Sequence, residues 1–169
     1  MRIFLIASLC LWLAGCDSTG GSTTTSATRK LTPAEMLAQV RASGKLGNEL
    51  DVQPWRDPQV EDLRLAATAA ESRGDVAAAD QALQGALGIA TDDPDLLQWR
   101  AELALLRRDW AQAEQLALRS YEKGPKLGGL CRRNWSTAQY AREARGDVAG
   151  MGQAQQRVAS CAVTPPPRY

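Results

Sequence analysis

Histidine is absent from this chain of 169 residues, and its absence narrows the chemistry that the chain can perform. Without it, the chain lacks the commonest general base, the usual catalytic triads, and the ligand of most zinc and haem sites. The acidic candidates are neighbouring pairs at predicted helix starts, where carboxylates are better explained as caps. These pairs are Asp92 with Asp93, and Glu61 with Asp62. We therefore predict no enzyme activity, no cofactor and no metal site.

Aromatic residues and net charge are also scarce. Phe, Trp and Tyr make up 5% of the chain, and 20 basic residues face 19 acidic ones. The single phenylalanine, Phe4, lies in an N-terminal apolar stretch, so a core must be built from Ala, Leu, Val and Trp. A nearly neutral chain offers no extended basic surface to a polyanion, and we predict no nucleic-acid partner.

The N-terminal apolar stretch is too short to cross a membrane. It follows one basic residue, Arg2, and its uncharged residues 3–15 would span about 20 Å as a helix, against roughly 30 Å of hydrocarbon. A charged start, an apolar middle and small residues at the end are the layout of a secretory signal. The ending Leu13-Ala14-Gly15-Cys16 resembles the lipobox of bacterial lipoproteins.

The lipobox resemblance implies that residues 1–15 are a signal peptide and that Cys16 becomes the lipid-bearing N-terminus, held in a membrane by its acyl chains. Residues 16–31, rich in Ser, Thr and Gly, are predicted to be a disordered flexible tether. A soluble secretory signal with a chance cysteine is the alternative. We expect a lipid-anchored protein of the bacterial cell envelope that faces the periplasm. Asp17 resembles an inner-membrane retention signal, but the sequence leaves the choice of inner or outer membrane open.

Three short stretches of sequence, each of which contains an arginine followed by an aspartate, recur at a regular spacing. Asp75, Asp109 and Asp147 are 34 and then 38 residues apart, and each stands between two apolar helical stretches. A period near 34 residues with paired helices is typical of tetratricopeptide repeats, and the chain resembles that family from about Val60 to Cys161. The resemblance implies an all-α fold over residues 60–161, a solenoid of about three stacked antiparallel hairpins.

The residues before each aspartate suit a tight turn. Gly74 and Gly146 favour the left-handed conformation that ends a helix, and the following aspartate suits the cap of the next helix. Arg108 holds the glycine position in the middle repeat, where that conformation costs roughly 1 kcal/mol. Arg100 and Arg142 depart from the family pattern, which has Leu and Tyr at these positions.

Two cysteines remain after the N-terminal pair is assigned. If Cys10 leaves with the signal peptide and Cys16 carries lipid, Cys131 and Cys161 remain in an oxidising compartment. Each lies 15 residues from Gly146, one before it and one after it, at the open end of the last predicted hairpin. We predict a disulfide there, and two buried free thiols are the alternative.

The segments flanking the repeats carry clear boundary signals. Residues 32–59 are predicted to be a short helix and a connecting loop. Thr32-Pro33-Ala34-Glu35 forms a capping box that predicts a helix over residues 33–42. Trp55 is expected to pack the loop onto the first repeat. Residues 162–169 are a proline-rich tail.

Tetratricopeptide repeats bind peptides or protein segments in a concave groove lined by the first helix of each repeat. Carried onto this chain, the resemblance implies groove positions that are polar and mixed in charge. Such a set suits an extended segment held by hydrogen bonds, and solvated helix faces are the alternative. The candidate groove residues are Arg64, Thr68, Gln98, Glu102, Ser136 and Tyr140.

We therefore expect a lipid-anchored interaction or assembly module whose partner is a protein or peptide segment of the envelope. It resembles lipid-anchored repeat proteins such as the pilotins and assembly factors of pili and secretion systems, and the adaptors and activators of peptidoglycan enzymes. The residues do not choose among these. A self-associating structural lipoprotein and an envelope hydrolase are the alternatives, and the oligomeric state stays open.

Overall fold

A computed structural model describes residues 29–47 and 55–162, and these residues form seven α-helices. The described part of the chain contains no strand, so its fold is all-α, as predicted. The lipid site Cys16, most of the tether, part of the connecting loop and most of the tail lie outside the described residues. No helix within those ranges is both long and apolar enough to cross a membrane. The helices are α1 Pro33–Gly44, α2 Pro58–Ser72, α3 Val76–Ile89, α4 Pro94–Leu106, α5 Trp110–Lys123, α6 Gly128–Ala144 and α7 Val148–Ser160.

Helices α2 to α7 form three hairpins, which pair α2 with α3, α4 with α5, and α6 with α7. Neighbouring hairpins stack through α3 on α4 and through α5 on α6. This order is the repeated hairpin arrangement that the regular spacing of the aspartates predicts.

One residue in the left-handed conformation closes the turn inside each hairpin. Gly74, Arg108 and Gly146 have φ angles of 77°, 61° and 78°. The aspartate after each turn caps the next helix, because its carboxylate accepts a hydrogen bond from a backbone N–H of the first helical turn. The donors are the N–H groups of Ala78, Gln112 and Gly150. The recurring strings are therefore turn-and-cap motifs.

Replacing Arg108 by glycine is expected to stabilise the domain by about 0.5 to 1 kcal/mol. Glycine relieves the strain of the left-handed conformation, although it adds some entropy to the unfolded chain. Gly74→Arg is the matched control, since it places the same side chain in the same conformation, and it should destabilise by a similar amount. Urea-induced unfolding measures both free energies. Destabilisation by Arg108→Gly would contradict the proposed strain.

Helix α1 begins where the capping box predicts. The Thr32 hydroxyl accepts a hydrogen bond from the Glu35 N–H, and the Glu35 carboxylate accepts one from the Thr32 N–H at 2.8 Å. The hydrogen bonds from the backbone and side chain of Thr32, together with the Arg29 guanidinium, lower the pKa of Glu35 from 4.5 to about 2. The helix ends at Gly44, two residues beyond the predicted end.

The lowered pKa of Glu35 predicts that the start of α1 is sensitive to acid. Because the folded-state pKa lies below the unfolded value, Glu35 stabilises the fold fully above about pH 4.5 and loses that contribution as the pH falls toward about 2. An NMR titration of the Glu35 carboxyl carbon should give a pKa near 2. Thr32→Ala should move this pKa back toward the usual value. A wild-type pKa already at that usual value would contradict the capping box.

Helix α4 is the centre of the domain and is buried on two sides. On one side, Leu83 and Leu103 belong to an apolar cluster that joins α2, α3 and α4. On the other side, Val40 and Leu105 belong to a second cluster that joins α1, α4, α5 and α6. Helix α4, the first helix of the middle hairpin, therefore contributes residues to both apolar clusters and connects them.

The two arginines that depart from the family pattern form ion pairs between neighbouring hairpins. Arg100 Nε on α4 lies 2.7 Å from Asp80 Oδ1 on α3, and Arg142 Nε on α6 lies 2.6 Å from Glu114 Oε1 on α5. Burial alone would raise the pKa of Asp80, but the hydrogen bond and charge of Arg100 outweigh it and lower that pKa. At both departures, a paired charge therefore links consecutive hairpins.

A disulfide joins Cys131, near the start of α6, to Cys161, just after α7. Their Cα atoms are 5.7 Å apart. Beside the bridge, the Gly128 N–H donates a hydrogen bond to the Cys161 carbonyl oxygen at 2.7 Å. The open end of the last hairpin is therefore closed by one covalent bond and one backbone hydrogen bond.

Trp55 does not pack onto the first repeat as expected. Its side chain is 90% exposed. The neighbouring Arg56 attaches this segment to the start of α4 instead, with its guanidinium 3.6 Å from Asp93 and 3.0 Å from Asp95. Ion pairing therefore takes the place of the apolar contact that was predicted.

Candidate interaction site

Helix α1 covers much of the surface predicted to be the groove. It packs along α4 and α6, the first helices of the second and third hairpins. Arg41 Nε of α1 donates a hydrogen bond to Glu102 at 2.9 Å, and Ser136 donates one to Ser43 of α1 at 3.0 Å. Glu102 and Ser136 are candidate groove residues. A segment of the chain itself therefore lies where the resemblance places a bound peptide.

The end of α1 comes very close to the start of α6, where both helices have glycine. A Cβ atom added at Gly129 would lie 2.5 Å from the Gly44 carbonyl oxygen, and one added at Gly44 would lie 2.6 Å from Arg133 Cδ. Arg132 Nε also donates a hydrogen bond to the Ser43 carbonyl oxygen at 2.9 Å. Larger residues at this crossing would push the two helices apart.

A buried carboxylate joins α1, α4 and α6. The Glu102 side chain has no exposed surface. It accepts hydrogen bonds from Arg41 Nε at 2.9 Å, from Arg133 Nε at 2.8 Å and from Gln98 Nε2 at 3.0 Å. A buried charge is tolerated when it is paired and hydrogen-bonded, and Glu102 has two cationic partners. The Glu102 carboxylate is therefore the electrostatic attachment point of α1.

Gln98 extends this network away from α1. Its side-chain amide donates to Thr137 Oγ1 at 2.9 Å and accepts from Asn134 Nδ2 at 2.8 Å. Asn134 Nδ2 also donates to Ser120 Oγ at 2.7 Å. These side chains are buried, so they form a polar layer between α4, α5 and α6 and are closed to a ligand.

Ser120 and Lys123 have the spacing of a Ser-x-x-Lys motif, but the structure gives each a separate partner. Ser120 is buried and donates to the Pro94 carbonyl oxygen at 2.7 Å. Lys123 Nζ lies 3.0 Å from Asp92 on the exposed surface. The two side chains therefore do not act as nucleophile and base.

Arg41 also connects α1 to the first hairpin. Its Nη2 atom lies 2.8 Å from Glu71 Oε1 on α2, and Glu71 accepts a hydrogen bond from Trp99 Nε1 on α4 at 2.8 Å. Burial alone would lower the pKa of Arg41, but the carboxylates of Glu102 and Glu71 outweigh it and raise that pKa. The side chains of Arg41, Glu71 and Trp99 form one wall of an open cleft.

The cleft has a volume of about 690 Å³ and lies between the end of α1 and helices α2, α4 and α6. Arg64 of α2 lies over the Trp99 ring, with its guanidinium carbon 5.5 Å from the ring centroid. Its Nε atom is 3.6 Å from Glu61, whereas its buried Nη1 atom has no hydrogen-bond partner within the described structure. The lining includes Arg41, Lys45, Arg64, Glu71, Asp95 and Trp99.

The structure separates the six candidate groove residues into two groups. Arg64 and Thr68 line the open cleft. Gln98, Glu102 and Ser136 are buried, and Tyr140 is half-buried against the apolar cluster that contains Val40. Burial, with a smaller contribution from Glu143, raises the pKa of Tyr140. The first pair is thus accessible to a partner, and the others support α1 and the core.

Of the residues that line the cleft, sequence reasoning predicted only Arg64 and Thr68, and it missed Lys45, Glu71 and Trp99 among the others. Trp99 lies among the apolar residues of α4, and such a pattern is a packing signal rather than a binding signal. Lys45 enters the cleft because α1 folds back across the hairpins, and no local pattern predicts that path.

Comparison with solved structures relates this domain to a known protein, the globular C-terminal domain of LpoP from P. aeruginosa. The two are 31% identical, with a TM-score of 0.58, and the match covers 62% of this chain and 99% of the LpoP domain. No protein-family model and no curated protein matches the chain. The similarity therefore extends over nearly the whole of the LpoP domain.

Proposed function

The chain belongs, through its helical domain, to the same family as the globular C-terminal domain of LpoP, and we propose that it regulates a peptidoglycan synthase of the bacterial envelope by direct contact. The family relationship is the observation that carries this proposal. It favours one of the classes expected from the sequence, the activators of peptidoglycan enzymes, over the assembly factors of pili and secretion systems. The proposed role is regulatory rather than catalytic.

The N-terminal residues support a membrane-attached form of this regulator. Under the proposal, residues 1–15 are removed, Cys16 carries lipid and residues 16–31 are the tether. Random-coil scaling gives such a tether a reach of roughly 20 Å, which keeps the helical domain near the membrane. Mass spectrometry of the N-terminal peptide should find a diacylglyceryl group and an acylated amine on Cys16. An unmodified N-terminus at a different residue would reject the anchor.

The position of the open cleft favours contact with the partner beside the first hairpin, because residues of α2 line it. Thr68 is exposed at the cleft, whereas most other candidate groove residues lie beneath α1 or in the core. A photo-crosslinking amino acid at position 68 should therefore capture the synthase in intact envelopes. Val148, which is 73% exposed on α7, is the matched control position and should capture much less of it.

The outcomes of this capture are distinct. Synthase adducts from position 68 but not from position 148 support contact through the cleft. Equal yields at both positions would reject the cleft as the contact surface, and a crosslinked second copy of the chain would favour self-association. If no synthase is recovered at either position, the proposed function fails.

Regulation is tested with purified components. The full mature protein should increase the rate of glycan polymerisation or peptide crosslinking by the synthase of the same organism in detergent solution. The effect should saturate as the protein concentration rises, because it depends on complex formation. An unchanged rate at saturating protein would reject a regulatory role.

A further inference from the structure

We propose that the cleft between the end of α1 and helices α2, α4 and α6 binds an acidic side chain on an extended segment of the partner protein, and that Arg64 and Lys45 recognise its carboxylate. This inference rests on the proposed function, and it names the chemistry of the contact. It is carried by the charge of the cleft, by the incomplete pairing of Arg64 and by the polar character of the lining.

The charges around the cleft are unequal. Four cationic side chains line it, and two carboxylates, Glu71 and Asp95, oppose them. Glu71 pairs with Arg41, and Asp95 pairs with Arg56, so both carboxylates are engaged by the protein itself. Within the described structure, the Lys45 ammonium has no ion-pair partner, and its side chain is exposed. The cleft therefore retains positive charge toward an incoming ligand.

Arg64 is the most informative residue of the cleft. Its contact with Glu61 is 3.6 Å long, which is beyond ordinary hydrogen-bond distance, and its Nη1 atom is buried without a partner. A buried donor that lacks a partner carries a desolvation cost, and a nearby carboxylate would compensate the charge of the guanidinium. Arg64 is thus incompletely paired in the free protein.

The position of Arg64 is set before any ligand arrives. Its guanidinium lies over the Trp99 ring, and Trp99 is itself oriented by the hydrogen bond from its Nε1 atom to Glu71. Glu71 is in turn held by Arg41 of α1. A cation fixed in this way loses little conformational entropy on binding, which favours recognition of a single carboxylate.

The lining favours a protein segment over a lipid. Trp99 is the one large apolar side chain among the lining residues, so the cleft offers no apolar slot for an acyl chain. Its volume of about 690 Å³ suits a few residues of an extended chain, since ligand sites of this kind measure roughly 300 to 1,000 Å³. The hydroxyl groups of Thr68 and Ser72 donate to carbonyl oxygens of α2, and their oxygen atoms can still accept hydrogen bonds from backbone N–H groups of the segment.

The test is an NMR titration of the full mature protein in detergent micelles, with the indole N–H resonance of Trp99 as the readout. The first probe is a heptapeptide of glycine and serine with blocked, uncharged termini and a central glutamate. The second probe is the same peptide with glutamine in place of the glutamate. The glutamate peptide should shift the resonance, and the glutamine peptide should bind at least tenfold more weakly. Arg64→Gln should weaken the glutamate peptide at least tenfold, and Lys45→Gln roughly threefold.

Arg73→Gln is the matched control, because Arg73 is an exposed cation just after α2 that does not line the cleft. This variant should bind the glutamate peptide with the wild-type affinity. Lys45 is exposed, so Lys45→Gln keeps the test decisive if Arg64→Gln fails to fold. Equal binding of both peptides, equal loss in the control, or no peptide-dependent shift would overturn the proposal. An Arg64-dependent shift produced by phosphatidylglycerol nanodiscs, without one from the peptide, would assign the cleft to lipid and also overturn it.

Failure of this inference is distinguishable from failure of the proposed function. The Arg64→Gln variant can also carry the photo-crosslinking amino acid at position 68. If this protein captures the synthase at the wild-type yield, and the glutamate peptide does not bind, the contact exists without carboxylate recognition. If the peptide binds through Arg64 but no synthase is captured, the cleft recognises acid groups and the regulatory proposal fails.

Discussion

Replacing Cys131 and Cys161 by serine is expected to lower the free energy of unfolding by about 3 to 4 kcal/mol. The bridge closes a loop with a sequence separation of 30 residues, and the chain-entropy model gives that magnitude for such a loop. For a domain of this size, the loss corresponds to a decrease in Tm of roughly 10 to 20 °C. Thermal and urea-induced unfolding of the double variant and the oxidised wild type measure the difference.

The last hairpin depends on this bridge because α7 is weakly anchored by packing. Helix α7 contributes Gly150 and Ala154 as its buried residues, and it packs on α6 alone among the described helices. A terminal repeat has a neighbour on one side, so it has less apolar surface to bury. Hydrogen exchange should therefore rise most in α7 when the bridge is removed.

A reductant supplies the matched control for this prediction. Dithiothreitol should destabilise the wild type by nearly the same amount as the double substitution, and it should leave the double variant unchanged. If the serine variant loses less than about 1 kcal/mol, the last hairpin is held by its side-chain contacts, and the bridge has a minor role in stability.

The hairpin stack was predictable because its signals are local. Two of the three turns carry a string of arginine, glycine and aspartate, and Arg108 replaces the glycine in the middle turn. Six of the seven described helices begin at a capping side chain, as at Thr32 and Asp93. Such signals act over three or four residues, so a single sequence is sufficient to detect them.

The position of α1 was not predictable for a physical reason. Its contacts join residues far apart in sequence, such as Arg132 with Ser43, 89 residues away. In the sequence, Gly44 and Gly129 look like ordinary glycines of a loop and of a helix start. Only the structure shows that their backbones approach each other closely. The resemblance implies Arg64 and Thr68 as groove residues, and both line the open cleft, but it contained no information about a preceding helix that covers Glu102 and Ser136.

Replacing Glu102 by glutamine is expected to release α1 from the hairpin stack and to cost about 2 to 3 kcal/mol. Removing one partner from a buried ion pair usually costs about 3 to 5 kcal/mol, but Arg41 and Arg133 are partly exposed and can regain some hydration. The substitution keeps the size of the side chain, so the effect isolates the charge. Urea-induced unfolding gives the free energy, and hydrogen exchange of α1 shows where the structure opens.

Glu122→Gln is the control, because Glu122 is exposed and its carboxylate has no ion pair within the described residues, so it should change stability by less than about 0.5 kcal/mol.

Gly129→Ala should also release α1, but by a steric route, since the added Cβ would lie 2.5 Å from the Gly44 carbonyl oxygen. Both Glu102→Gln and Gly129→Ala should speed exchange in α1 while α2 and α3 stay protected, because the first hairpin packs against α4 through an apolar cluster that contains no residue of α1. Unchanged exchange in α1 would mean that apolar packing of Val40 and its neighbours holds the helix without the buried carboxylate. Faster exchange in α1 and weaker binding at the cleft together would make the docked helix a structural part of the interaction site, because Arg41 and Lys45 reach the cleft through it.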